Sequence, residues 1–190
     1  MASDVIDYVT IASTGNAIDF GDLLTGTYSM SGASSGTKTL FFGGNAGGRI
    51  NTIQSITTGS TGNATDFGDL TADDMDRTAS AGNDTRIIVF GGFGATLSRT
   101  NVIQYVTTAT SGDSLDFGDL SVGKYNGGAF SSTTKSVMSG GNTTGGSTGQ
   151  TNVMEKVTIA TTGNAVDFGD LVVATKNNSA ASTAHGGLSA

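Results

Sequence analysis

The sequence predicts an all-β protein, a small β-propeller with four blades of about 50 residues each. Three observations lead there. The pentapeptide DFGDL occurs four times, and its first Asp lies at positions 19, 66, 116 and 167, so that the repeat steps are 47, 50 and 51 residues. Each unit divides into four short β-like segments. No segment shows the 3.6-residue apolar period of an amphipathic helix.

The four strands of a unit are predicted in order from their residue types. The first strand is made of small residues, as at 29–35, 79–84, 126–132 and 178–184. The second is apolar and is closed by two glycines, as at 39–44, 87–92 and 136–141. The third is rich in β-branched residues, and the fourth is built around DFGDL. Val, Ile, Thr and Phe favour strands, and the Gly, Asn and Asp between them favour turns.

The repeat begins in the middle of a unit. We expect one domain over residues 1–190, with units at 24–70, 71–120 and 121–171. The segments 1–23 and 172–190 carry the missing strands of a fourth unit, so they are predicted to close the ring as one mixed blade, which removes open sheet edges. The alternative is that open chains associate into a larger ring or a fibre.

These units resemble kelch repeats. The glycine pairs Gly43–Gly44, Gly91–Gly92 and Gly140–Gly141 match the pair that closes the second kelch strand. The DFGDL phenylalanines stand where kelch repeats usually carry Trp: Phe20, Phe67, Phe117 and Phe168. The chain departs from the pattern in having neither Trp nor Pro. The amino-acid sequence of the repeat, as in "DVIDYVTIASTGNA", also resembles repeats in tail-fibre and other virion proteins of marine bacteriophages. That resemblance implies a structural or host-attachment role.

Composition excludes several functional classes. The net charge is −7 with only nine Lys and Arg, whereas nucleic-acid binding needs clustered basic residues. There is no cysteine, so disulfides and thiolate metal sites are excluded. No apolar run reaches the roughly 20 residues of a membrane helix. The first residues lack the basic start and apolar core of a signal peptide, which fits assembly in a host cytoplasm.

Each DFGDL is predicted to be the outer strand of a blade. The Phe fills the gap to the next sheet, the Gly permits close approach, and the carboxylates bond turn N–H groups. The alternative for the carboxylates is calcium binding, because oxygen ligands recur beside a Gly. The calcium candidates are Asp19, Asp22, Asp66, Asp69, Asp116, Asp119, Asp167 and Asp170. We favour the turn interpretation.

Enzymatic function is not expected. The only histidine, His185, has no partner cluster that would make it a base or a metal ligand. Serine is abundant but lacks a nucleophile-elbow context. We therefore predict no catalytic residue and no cofactor.

Loops that interrupt the repeat are the candidate recognition elements. One is "TADDMDR" at 71–77, with Asp73, Asp74, Asp76 and Arg77, for which we favour a solvated loop and keep recognition as the alternative. A second is 91–101, with Phe93 and Arg99, and a third is the Gly-rich 140–152. A lectin would be expected to repeat an aromatic pocket. Here, however, Tyr8 and Tyr105 are replaced by Ser55 and Lys156 at the equivalent positions of the other units.

The sequence therefore predicts a non-enzymatic structural or binding propeller. The expected location is a virion, in a tail fibre or as a head or tail decoration. Its partners would be other virion proteins, further copies of itself, or a host-surface glycan or protein. The alternative is a carbohydrate-binding propeller outside a virion, and a scaffold or cap without a small ligand is a further one.

Overall fold

The fold is given by a computed structural model that describes residues 2–96, 98–144 and 148–182. Within these residues the secondary structure is all β, as predicted. The chain forms several small antiparallel sheets, and none of them is closed on itself. No helix in this part of the chain has the length and apolarity to cross a membrane.

Three four-stranded sheets follow one another along the chain, one for each complete repeat. The first contains β3 (Ser31–Ser34), β4 (Lys38–Phe42), β5 (Thr52–Thr57) and β6 (Thr65–Asp69). The second contains β8 (Ala79–Gly82), β9 (Arg86–Phe90), β11 (Val102–Thr107) and β12 (Leu115–Asp119). The third contains β13 (Gly128–Ser131), β14 (Lys135–Ser139), β15 (Thr151–Thr158) and β16 (Val166–Thr175). Neighbouring strands pair in chain order, so each sheet is an antiparallel meander, and the four predicted strands per unit are confirmed here.

The segment before the first full repeat forms a two-stranded sheet. It contains β1 (Ser3–Tyr8) and β2 (Ile18–Thr27), which correspond to the third and fourth strands of a unit. A second small ribbon joins β7 (Met75–Asp76) to β10 (Phe93–Gly94), in the loops between units.

The hydrophobic core lies between successive sheets. One cluster joins Phe20 of β2 to Ile56 of the next sheet. A second cluster joins Phe67 to Val106, and a third joins Phe117 to Val157. The predicted role of the DFGDL Phe is thus confirmed at three positions, since each ring fills the space before the following unit. It is wrong for Phe168, which is 46% exposed, because no sheet of the described residues lies against that side of β16.

The units also contact one another through four residues with left-handed backbone conformation, one before the first strand of each unit. We call these residues the left-handed corners. Ser29, Arg77, Asn126 and Asn177 all have φ between 56° and 58°. The N–H of each later corner donates to the carbonyl oxygen of the preceding one: Arg77 to Ser29 (2.8 Å), Asn126 to Arg77 (3.0 Å) and Asn177 to Asn126 (2.8 Å).

After the last corner, the chain lies alongside β13, where the Ser131 N–H donates to Ser182 Oγ (3.0 Å). Residues 180–182 and the first strands of the three full sheets line one cavity of about 230 Å³. The fourth unit is thus represented by this segment and by the β1–β2 sheet. Among the described residues these two parts do not pair, so a closed four-bladed ring is not confirmed. The remainder of the expected closing strand, 183–190, lies outside the described residues.

Candidate functional site

The same four hydrogen bonds join each sheet to the next. At the second junction, the Gly112 N–H donates to the Phe67 carbonyl (2.6 Å) and the Ser114 N–H donates to the Asp69 carbonyl (2.8 Å). The Asp69 N–H donates to Asp113 Oδ1 (3.0 Å). The Thr71 N–H donates to Gln104 Oε1 (2.9 Å). The bonds are equivalent at the junctions of Phe20 with Gly62 and of Phe117 with Gly163.

These bonds explain why DFGDL and the upstream Gly-Asn-Ala are repeated together. They are the two halves of one interface, contributed by adjacent units. The second aspartate of each DFGDL takes part through its main chain, and the side chain that accepts its N–H belongs to Asn63, Asp113 or Asn164 of the following unit. The expected Asx turns of the DFGDL carboxylates are thus replaced by contacts between units.

The DFGDL glycine is required by close approach of two main chains. Gly118 has φ of 146°, and a Cβ atom placed on it would lie 2.5 Å from the carbonyl carbon of Gly163. At Gly169, which has φ of 131°, the nearest atom would be the methyl carbon of Met154 at 3.9 Å.

We expect Gly118→Ala to lower the free energy of unfolding by about 1–3 kcal/mol more than Gly169→Ala. Both substitutions strain the backbone, so their difference reports the clash with the neighbouring unit. Urea unfolding of the two variants at low protein concentration measures it, and equal losses of stability would contradict the proposed clash.

Six of the eight calcium candidates lie near these junctions, and the other two, Asp167 and Asp170, lie in β16. All of these side chains except that of Asp119 are exposed. Burial, followed by the nearby carboxylates of Asp113, Asp66 and Asp74, raises the pKa of Asp69. Among the described residues, no group of three or more His, Cys, Asp or Glu side chains is placed to hold a metal ion. His185 lies outside the described residues.

The loops between strands carry a cluster of cations and aromatic rings at one end of the molecule. Phe93 of β10 packs edge-on against Tyr125 of the next unit, with 5.1 Å between ring centroids. The Arg49 guanidinium lies 4.6 Å from the centre of the Phe93 ring, and that of Arg77 lies 5.6 Å from it. We call Arg49, Asp76, Arg77, Phe93 and Tyr125 the loop-face cluster.

Asp76 fixes the two arginines of the loop-face cluster. Its side chain is 1% exposed, and its oxygens lie 3.2 Å from Arg49 Nε and 3.7 Å from Arg77 Nε. Asp76 and Phe93 are paired in the β7–β10 ribbon, which sets the position of the carboxylate relative to the ring. The side chains of Arg49 and Arg77 are 25% and 37% exposed, so both are partly open to solvent.

Sequence reasoning found part of this cluster. Asp76, Arg77 and Phe93 were candidates, and the structure brings them together. Arg99 and Asp74 are not among these contacts, and Asp73 instead accepts hydrogen bonds from Thr96. Residues 145–147 of the third candidate loop lie outside the described residues.

Arg49 and Tyr125 were missed. The available signal was the Arg that stands two residues before the third-strand Asn in two units, Arg49 before Asn51 and Arg99 before Asn101. An Arg that recurs at the same position of the loop before the third strand is expected at the same end of each sheet.

Tyr8 and Tyr105 have a packing role within their own sheets. Tyr8 lies edge-on against Phe20 with 5.9 Å between centroids, and Tyr105 packs in the same way against Phe117 at 5.8 Å. At the equivalent place in the last unit, Lys156 Nζ lies 5.2 Å from the centre of the Phe168 ring. These side chains cover the DFGDL rings.

A comparison with known families and with curated proteins finds no match for this chain.

A buried ion pair lies beside the third junction. Lys124 Nζ is 2.5 Å from Glu155 Oε2, and both residues are almost fully buried. Burial alone would raise the pKa of Glu155, but hydrogen bonds from Lys124 and Ser121, together with the lysine charge, lower it below its ordinary value. The carboxylate also accepts the Ser121 N–H at 2.8 Å, so the pair holds the linker between units two and three.

Proposed function

We propose that the chain is a non-enzymatic protein of kelch-like β-propeller blades, one for each of its four repeat units, and that it serves as a structural or binding component of a phage virion. The observation that carries the binding role is the loop-face cluster. It combines residues from three successive units and presents two guanidinium groups beside aromatic rings. Arginine and aromatic side chains dominate the energetics of protein interfaces.

The virion assignment is supported by the resemblance of the repeat sequence to repeats in tail-fibre and other virion proteins of marine bacteriophages. A tail fibre or a head or tail decoration would be assembled in the host cytoplasm. Its partners would be a neighbouring virion protein or a host-surface glycan or protein. The loop-face cluster suits a protein or an acidic polysaccharide, because Arg can bond a carboxylate with two parallel N–H donors.

The alternative of a lectin outside a virion has less support. Four equivalent aromatic pockets would be expected around a lectin ring. Tyr8 and Tyr105 instead cover phenylalanines of their own sheets, and the loop-face cluster occurs between particular units.

The proposal is tested by measuring binding of the labelled protein to host cells and to purified surface polysaccharide. We expect saturable binding that Phe93→Ala weakens about tenfold or more, which is 1.4 kcal/mol. Lys135→Ala is the matched control, because Lys135 is exposed and follows the first-to-second strand turn, at the other end of the sheet. Binding that both variants retain in full would contradict the role of the loop-face cluster.

The same measurement is repeated with calcium and with EDTA. We expect no difference, because the DFGDL carboxylates are not required as metal ligands in this proposal. Loss of binding in EDTA would instead assign them a calcium-dependent role.

A further inference from the structure

The junction between units is made three times, and both of its halves are present a fourth time without a partner among the described residues. The outgoing half is the β16 segment with Phe168, Gly169 and Asp170. The incoming half is the β1–β2 segment with Val9, Gly15, Asn16 and Ala17. In all three formed junctions, residues of the same sequence positions are bonded to one another.

The outgoing half is open along its whole length. Phe168 is 46% exposed, whereas Phe67 and Phe117 at the same position are 3% and 2% exposed. Leu171 is only half-buried, although Leu70 and Leu120 are buried. Among the described residues, no N–H of another unit is bonded to the Phe168 or Asp170 carbonyl oxygen, although the equivalent oxygens accept such N–H groups at the other junctions.

The incoming half is open in the same way. Val9 corresponds to Ile56, Val106 and Val157, which receive the preceding Phe, yet Val9 is 58% exposed. Ile11 is 99% exposed, whereas the equivalent Ile159 is fully buried. At the formed junctions, a Cβ atom placed on the DFGDL glycine would lie 2.4–2.5 Å from the main chain of Gly62, Gly112 or Gly163 of the following unit. A Cβ atom placed on Gly169 would meet no atom of Gly15 within 4 Å.

The polar groups of the two open halves also match. Asn16 stands where Asn63 and Asn164 accept the N–H of the second DFGDL aspartate, so it can accept the Asp170 N–H. Asp7 stands where Gln54, Gln104 and Glu155 accept a linker N–H, so it can accept the Val172 N–H. Every hydrogen bond of a formed junction therefore has a donor and an acceptor here.

Each open half is an apolar surface with unpaired main-chain groups, and burying it is favourable. Among the described residues, the outgoing half does not reach the incoming half of the same chain. We propose that the outgoing half of one chain binds the incoming half of a second copy, by the same contacts as the three internal junctions. This contact is heterologous, so repetition gives either a closed ring of several chains or a fibre. It depends on the repeat architecture and is independent of any host ligand.

Analytical ultracentrifugation over a range of protein concentrations tests the proposal. We expect the mean mass to rise above the 18.9 kDa of one chain as the concentration increases. Phe168→Asp disables only the outgoing half, and Val9→Asp disables only the incoming half, so each variant alone should remain monomeric.

The decisive experiment mixes the Phe168→Asp and Val9→Asp variants. The Val9→Asp chain keeps an intact outgoing half and the Phe168→Asp chain keeps an intact incoming half. The mixture should therefore form a one-to-one dimer of twice the single-chain mass and nothing larger. Leu115→Asp is the control, because Leu115 is 58% exposed in a unit whose two junctions are both formed, and this variant should associate like the wild type.

Two outcomes overturn the proposal. The first is a wild-type chain that stays monomeric at every concentration. If Phe168→Asp and Val9→Asp then also lower the melting temperature, the two halves bind each other within one chain. The second is association that persists in both single variants, which would place the contact elsewhere. Neither outcome bears on cell-surface binding by the loop-face cluster.

Discussion

Phe67→Ala is expected to lower the free energy of unfolding by about 3–5 kcal/mol, the usual cost of truncating a core aromatic residue. The ring is 3% exposed and packs in the cluster that joins the first and second full sheets. Its loss leaves a cavity between two units, and the surrounding main chain is held by four junction hydrogen bonds that limit collapse.

Phe168→Ala is the matched control for this experiment. The residue type, the motif and the strand are the same, but the ring is open to solvent on the side where the other phenylalanines meet a neighbour. At concentrations where the chain is monomeric we expect a loss of less than about 1 kcal/mol, as for other exposed positions. Urea unfolding followed by circular dichroism measures both variants. Similar losses would mean that the DFGDL rings do not act through the junctions.

Lys124→Met is the second change for which a large effect is expected. It leaves the Glu155 carboxylate buried without its cation, and breaking a buried pair in this way costs about 3–5 kcal/mol. The double variant Lys124→Met with Glu155→Gln should recover much of that loss, because the neutral amide oxygen can still accept the Ser121 N–H. Gln104 makes the equivalent contact in the preceding unit.

The stability of the wild type and that of Lys124→Met should change with pH in opposite directions. In the wild type the pKa of Glu155 is below its unfolded value of 4.5, so its contribution to stability is present above that value and is lost as the pH falls through the folded pKa. Without Lys124, burial raises the pKa of Glu155, so protonation stabilises the variant. The stability difference between Lys124→Met and wild type should therefore shrink on acidification, and a difference that is constant with pH would exclude this explanation.

The strand content could be predicted from the sequence because each unit repeats its β-branched and apolar segments between turn residues. The burial of Phe20, Phe67 and Phe117 also followed from the pattern. The exposure of Phe168 did not, because an identical motif acquires a different environment where no sheet of the described residues packs against its ring. Local sequence determines that a ring is able to pack, and only the arrangement of sheets determines whether it does.

The loop-face cluster was predictable only in part. Asp76, Arg77 and Phe93 lie in segments that depart from the repeat, and such departures mark loops. Arg49 and Tyr125 come from the units on either side, at sequence distances of 27 residues or more from Asp76, and their approach depends on how the units are stacked.

The line of left-handed corners from Ser29 to Asn177 has a consequence for cooperativity. The main chain of each corner is bonded to the main chain of the corner before it, the corner after it, or both, as in a one-dimensional chain of coupled elements. Stability in such a chain is close to a sum of unit terms and nearest-neighbour terms. A substitution that destabilises one unit is therefore expected to lower the stability of the adjacent units and to have little effect on more distant ones. The second full sheet lies between two other four-stranded sheets, whereas the first has the two-stranded β1–β2 sheet on one side. The second full sheet should therefore be the last part of the chain to exchange its amide hydrogens.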